Sequence, residues 1–224
     1  VDPGAPHRLT LHWEERGEGT PLLLVMGATY SGEMWYPAID DLATRHRVIW
    51  FDNRGTGQSE STRVASISDM AQDALAVLDA AAVGRAHVYG VSLGGVVVQQ
   101  LALEAPERVL SLVLGCTGIL TDDKPRAPRI LNLLLRLPRS VKLAMGRSGY
   151  GSAAPADRIA KDQDVLRAEV TVLRSLIAQQ DALRAYAVSR EQVATLTMPT
   201  LVLHGTQDRL VRLAWGQELA EVPP

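Results

Sequence analysis

Cysteine is nearly absent: Cys116 is the only one in 224 residues. One thiol cannot form an internal disulfide, so the core must hold the fold, and the composition suits a reducing cytoplasm. An excess of either charge is missing as well. With 23 Lys and Arg against 25 Asp and Glu, and a net charge of -2, the chain carries no polybasic footprint. Nucleic acid and an anionic membrane surface are therefore not the expected partners. Long apolar runs are lacking too. The strongest cluster, Ile130 to Leu137, is broken by Asn132 and Arg136 and falls well short of the roughly 20 residues that span a bilayer. Nothing at the start resembles a secretory leader, and no internal repeat or low-complexity tract appears. What remains is a chain long enough for one domain with an insertion, acting on a small, weakly charged molecule.

What is present is organised around residues 86–103, AHVYGVSLGGVVVQQLAL. An apolar run meets Gly90-Val91-Ser92-Leu93-Gly94, and a helix-length segment follows. The pattern predicts a strand, a sharp turn and a helix. Flanking glycines leave no Cβ to clash where the backbone reverses, so Ser92 can be held in a sparsely populated conformation with its hydroxyl above the sheet. The following helix aims unpaired N–H groups and the positive end of its dipole at the same point. That setting suits a nucleophile. A bystander serine in a glycine-rich turn is the competing reading, against which the strand, the helix and Gly95 together weigh.

Before this stretch, Arg8 to Glu14 and Pro21 to Met26, joined through Arg16 to Thr20, read as a hairpin. Leu22 to Val25 is continuously apolar, as a strand covered on both faces requires. It runs into Gly27 to Gly32, a loop placed to donate a backbone N–H. A helix is expected around Glu33 to Leu42, a strand over His46 to Phe51, and then a polar, glycine-rich loop from Asp52 to Ser59. Ser66 to Val83 has helical apolar spacing with a Ser66/Asp69 capping signature, and Gly84 ends it. Val109 to Leu114 is another strand, with Cys116 read as a small buried apolar residue at its end. Strands alternating with helices predict an α/β fold with a mainly parallel sheet and helices on both faces. From about Thr117 to Thr197 the alternation stops. Prolines 125, 128, 138 and 155 punctuate helical segments, including Ile130 to Leu137 and Asp157 to Gln180, with a flexible joint at Ser148 to Ser152. A helical insertion is expected, its apolar face packed on the main domain and part of it lining a pocket. Pro199 to His204 resumes the sheet, and a helix from near Val211 closes the sequence. The partition is therefore a core of residues 1–117 and 198–224 and a helical cap of residues 118–197.

Four motifs in series then carry a resemblance: Leu24-Val25-Met26-Gly27-Ala28, Asp52-Asn53-Arg54-Gly55-Thr56-Gly57-Gln58-Ser59, Gly90 to Gly94, and Leu203-His204-Gly205-Thr206-Gln207-Asp208. They resemble the α/β-hydrolase superfamily over Pro21 to Thr117 and Met198 to Val222. The nearest-looking branch holds small-molecule esterases, enol-lactonases and cofactor-free haloperoxidases with helical caps. The resemblance implies a doubly wound sheet of that type, with Ser92 as nucleophile and Asp208 as the acid that orients an imidazole. It implies Ala28 and Leu93 as the backbone donors of an oxyanion hole. It implies no cofactor and no metal, a small, largely apolar substrate, no nucleic acid or membrane partner, and a cytoplasmic location. A homo-oligomer is left open. A turn carboxylate is the alternative for Asp208, with Asp122 or Asp123 in reserve as the acid.

Two departures from the family pattern stand out. No histidine follows Asp208, although the family order is Ser, acid, His. His204 lies within the acid motif and reads as a structural neighbour; His87 precedes the elbow at the far end of its strand; His7, His12 and His46 are early. The favoured expectation is a further strand, histidine loop and helix beyond residue 224, about 25 to 45 residues at ordinary element lengths. The other is a protein that has given up triad catalysis. Secondly, Met26 stands where the family often has histidine, which touches loop support rather than the Ala28 donor. The expected function is hydrolysis of a small ester, lactone or thioester through an acyl-enzyme intermediate. A lyase, cyclase or cofactor-free peroxidase on the same fold, or a catalytically inactive ligand-binding protein, are the alternatives.

Overall fold

A computed structural model describes residues 10–60, 66–124, 150–168 and 173–222. Six strands form one sheet: β1 (Trp13–Arg16), β2 (Thr20–Val25), β3 (His46–Phe51), β4 (Ala86–Val91), β5 (Val109–Gly115) and β6 (Thr200–Leu203). Their order is β1-β3-β2-β4-β5-β6. Only the β1–β3 pair is antiparallel; β2–β3, β2–β4, β4–β5 and β5–β6 are parallel.

The expected opening hairpin does not form. β1 pairs with β3 rather than β2, with Trp13 opposite Phe51. The turn between β1 and β2 instead crosses the end of β3. Gly17 sits there at φ 80, and a Cβ on it would overlap the carbonyl oxygen of Ala43. Two neighbouring strands joined by a short turn read as a hairpin from local sequence alone. The strand that inserts between them arrives some twenty residues later.

A single 3₁₀ turn (Gly32–Trp35) leads into α1 (Tyr36–Ala43), and α2 (Ile67–Ala80) begins at Ser66, whose hydroxyl accepts the Asp69 N–H at 3.0 Å. The elbow helix is α3 (Leu93–Glu104). Residues Leu23, Val25, Ile49, Phe51, Val88, Leu112 and Leu114 on one sheet face pack with Met70, Leu78, Val97 and Leu101 of α2 and α3 into one core. On the other face Leu22, Leu24, Val48 and Trp50 gather Met26, Trp35 and Ile39. This two-sided burial is why Leu22 to Val25 of β2 reads as an unbroken apolar run.

Between β5 and β6 lie α4 (Ala156–Ala168), α5 (Leu173–Ala185) and the short α6 (Arg190–Val193), and α7 (Leu213–Glu221) follows β6. Of the helical stretch expected over Asp157 to Gln180, α4 and α5 cover the described residues, residues 169–172 lying outside them, and α6 was not anticipated. The helix expected over Ile130 to Leu137 and the first two residues of the Ser148 to Ser152 joint lie outside the described residues. β6 forms the far edge of the sheet, with Leu201 and Leu203 exposed. Among the described residues no helix is long and apolar enough to cross a membrane.

Candidate active site

Parallel strands bring their carboxyl ends to one edge of the sheet, and the candidate residues collect there. Ser92 follows β4 and is the N-cap of α3, with φ 55 and ψ -117. That conformation is costly for a residue with a side chain, of order 1–3 kcal/mol, and persists only where the surroundings dictate it. The surroundings are visible. The Ser92 N–H donates to the Gly115 carbonyl at 2.8 Å, and the Thr117 hydroxyl donates to the Ser92 carbonyl at 3.0 Å. At Gly94 the helix backbone presses on β2, where a Cβ would overlap the Val25 carbonyl oxygen and stand 2.7 Å from that of Met26. The elbow is therefore wedged between β2 and β5, with the Ser92 side chain half-buried.

Leu93 is the first residue of α3, so its N–H has no partner within the helix. Ala28 lies on the loop after β2, and that loop is anchored from several directions. Asn53 Nδ2 donates to the Met26 carbonyl at 2.9 Å. The Gly32 N–H donates to Asp52 Oδ1 at 2.7 Å. The Thr29 N–H donates to Gln179 Oε1 at 3.2 Å. Asp52 is itself fixed by the Gln58 N–H at 2.8 Å. The motif from Asp52 to Ser59, whose role the sequence left open, thus braces the loop bearing Ala28. Arg54 secures the brace through a two-pronged pair with Asp73, at 2.5 and 2.6 Å.

Asp208 follows β6, one strand beyond β5. Its Oδ1 accepts the N–H groups of Leu210 and Val211 at 2.8 and 2.9 Å, and Oδ2 stands 3.7 Å from His204 Nε2. One oxygen is committed to the turn, and the other has no backbone partner. His204 is buried, with Nε2 2.9 Å from the Val211 carbonyl oxygen. A carbonyl only accepts, so Nε2 is the donor there, and Nδ1 has no hydrogen-bond partner. His204 pins the loop that carries Asp208.

Cys116 is only half-buried, against the expectation of full burial, and has φ 46. Its N–H donates to the Leu203 carbonyl at 2.8 Å, and its thiol contacts the Asp208 carboxylate. Burial and that carboxylate raise the thiol pKa, against a lowering contribution from the Gly205 N–H. It links the Ser92 and Asp208 strand ends and stays protonated at neutral pH.

The reserve acids lie elsewhere. Asp122 and Asp123 line a recess of about 340 Å³ with Val188, Ser189, Arg190 and Glu191, to which neither Ser92 nor Asp208 contributes. The other described histidines have contacts of their own. His87 stacks edge-on against His46 at 5.8 Å and meets Ser111 Oγ at 2.7 Å. Five strand residues before Ser92, it lies roughly 16 Å from it. His12 borders Asp52 at 3.4 Å.

One cluster that the sequence did not signal joins α4 to the turn after the Ala28 loop. Buried Asp162 accepts from Tyr36 at 2.6 Å, Tyr150 at 2.9 Å and Arg158 at 2.7 Å. Burial and the Asp162 carboxylate push the Tyr36 hydroxyl up to about 12. Gln179 was also missed. Its one signal was a polar residue on the same helical stripe as Leu176 and Ala182. Among the described residues no group of His, Cys, Asp and Glu is arranged to hold a metal ion.

Comparison with known proteins agrees with the fold. The model of the alpha/beta hydrolase fold family matches residues 20–224. RutD of Azorhizobium caulinodans, named as a proposed carbamate hydrolase, is 34% identical over 96% of this chain and 83% of its own length. The pimeloyl-[acyl-carrier protein] methyl ester esterase of Pectobacterium carotovorum is also 34% identical, over 90% of this chain and 82% of its own. Among solved structures, the enol-lactonase of Burkholderia xenovorans superposes with a TM-score of 0.83 at 25% identity, covering 96% of this chain and 85% of that one.

Proposed function

The chain belongs to the alpha/beta hydrolase fold family, and from that premise we propose that it is a serine hydrolase cleaving a small-molecule ester, lactone or thioester through an acyl-enzyme intermediate. The observation that carries the reading is Ser92 itself, held at φ 55 as the N-cap of α3 beside the unpaired N–H of Leu93. Ser92 Oγ attacks the acyl carbon, and its proton passes to a base. The oxyanion that forms accepts from the Ala28 and Leu93 N–H groups, where losing one donor costs about 10²-fold or more in rate. Collapse of the tetrahedral intermediate expels the alcohol or thiol with a proton, and water then hydrolyses the acyl-serine. The Oδ2 of Asp208, which takes no backbone N–H, would accept from an imidazole and stabilise it once protonated. None of the four described histidines is assigned as that base: His12, His46 and His87 have contacts of their own, and His204 is buried with Nε2 on the Val211 carbonyl.

The carbamate, methyl ester and enol-lactone in the relatives' names share an acyl carbon bearing a heteroatom leaving group. That is the substrate class supported here, as a small, largely apolar molecule in a reducing cytoplasm, processed without metal, cofactor, nucleic acid or membrane. The core of residues 1–117 and 198–224 would supply the chemistry, and the cap of residues 118–197 the pocket wall. Short-chain p-nitrophenyl esters test it: Ser92→Ala should lower turnover by about 10³-fold or more. A folded protein with no turnover of any acyl substrate would instead favour ligand binding or non-hydrolytic chemistry.

A further inference from the structure

We propose that Gln179 is a positioning residue for the oxyanion hole, through which helix α5 sets the direction of the Ala28 N–H. The proposal rests on the reading of Ala28 as an oxyanion donor. Gln179 is 0% exposed, and a buried primary amide is tolerated only where its donors and acceptor find partners. Its Oε1 accepts from the Thr29 N–H at 3.2 Å and its Nε2 donates to the Arg54 carbonyl at 3.2 Å. An amide N–H can only donate and a carbonyl can only accept, so the two partners fix the orientation of the side chain without ambiguity.

Thr29 lies next to Ala28 in the chain and has φ 77, a left-handed conformation that a residue with a β-branched side chain adopts only under constraint. The peptide between Ala28 and Thr29 carries the N–H that Gln179 holds. That peptide shares the Ala28 Cα with the Gly27–Ala28 peptide that bears the Ala28 N–H, so holding it fixes one side of Ala28 and limits how far the donor peptide can shift. The loop's other anchors, Asn53 on the Met26 carbonyl and Asp52 on the Gly32 N–H, come from the loop after β3. The anchor adjacent to Ala28 comes from a helix 150 residues further along the chain.

That helix is firmly seated. Ser175, one turn before Gln179, packs so closely on Gly55 that a Cβ there would overlap it. Leu176 and Ala182 are buried on either side. The segment between β5 and β6 therefore does more than wall a pocket. It reaches the catalytic edge of the sheet and holds one donor of the hole in place. Donors act over a narrow window, about 2.7–3.1 Å from the developing oxyanion, and a displacement of 1 Å costs on the order of 10²-fold.

The test compares wild type, Gln179→Met and Gln180→Met, the last a buried neighbour on the same helix. Each is measured for p-nitrophenyl acetate turnover per folded molecule and for the rate of Ser92 modification by a fluorophosphonate. Gln179→Met should lower kcat about 10- to 100-fold with KM within about threefold, slow the modification in parallel, and speed amide exchange in the peptide spanning residues 27–31. Gln180→Met should do none of these. Should the Met variant not fold, Gln179→Asn, which withdraws the amide by one methylene, gives the same comparison. Wild-type rates in a folded Gln179 variant overturn the proposal and leave the serine mechanism standing. Failure of the wild type to react at Ser92 overturns both.

Discussion

The backbone N–H of Ser92 donates to the Gly115 carbonyl at 2.8 Å, and the next residue, Cys116, donates its own N–H to the Leu203 carbonyl at 2.8 Å. The last residue of β5 and the residue after it thus link the serine strand to the strand leading to Asp208. The strand ends that lead to nucleophile and acid are held by one ladder of backbone bonds. The sheet sets the spacing of the two strand ends, and the turn after β6 sets the Asp208 carboxylate.

The thiol at this junction reports on the arrangement. Burial first, and then the Asp208 carboxylate, raise the Cys116 pKa. Alkylation by iodoacetamide should therefore be slow at pH 7 and accelerate at higher pH than for an ordinary thiol, since the thiolate is the reactive form. Asp208→Asn removes the negative charge and should speed alkylation at pH 8 several-fold. Equal rates in the two proteins would mean that the thiol and the carboxylate do not meet.

Two glycines separate close packing from mere flexibility. Gly94→Ala places a methyl against the Val25 carbonyl oxygen, whereas a Cβ at Gly84 would meet nothing within 4 Å. Overpacking against rigid backbone costs about 1–3 kcal/mol and occasionally more. Urea denaturation should show Gly94→Ala losing at least that much, with Gly84→Ala within about 1 kcal/mol of wild type. Equal effects would refute the wedged elbow.

The Asp162 cluster makes the docking of α4 depend on pH. Burial alone would raise the Asp162 pKa, but hydrogen bonds from Tyr36, Arg158 and Tyr150 outweigh it and hold the carboxyl below its ordinary value. A carboxylate with a depressed folded pKa contributes its stability in full above the unfolded value of about 3.9 and loses it as the pH falls through the folded one. Amide exchange in residues 156–168 should stay slow from pH 7 to about 5 and quicken below about 4, once corrected for intrinsic rates. Asp162→Asn should quicken exchange at pH 7 and cost about 1–3 kcal/mol. A pH-independent profile would show that the carboxylate does not hold the helix.

Much of this was legible because it is local. The Ser66 cap, the α3 elbow and the two-sided burial of β2 are each written in a few consecutive residues. Elements whose partners are distant were not. The Arg16 to Thr20 turn looks like a hairpin until β3 inserts between its strands. Cys116 looks like a core residue until β6 brings Asp208 beside it. Gln179 is a polar residue on a helix stripe, and only the folded chain shows that its amide spans the Thr29 N–H and the Arg54 carbonyl. The motif from Asp52 to Ser59 announced itself without announcing its task, because bracing another loop leaves no mark in its own spacing.

The central claim, that Ser92 is an activated nucleophile at the head of α3, is tested most directly by treating the full-length protein with a fluorophosphonate and locating the adduct by peptide mass spectrometry. A single adduct on Ser92, absent from a folded Ser92→Ala variant and blocked by a short-chain ester, is the expected result. A folded protein that takes up no label at Ser92, or an equal amount after Ser92→Ala, would contradict it.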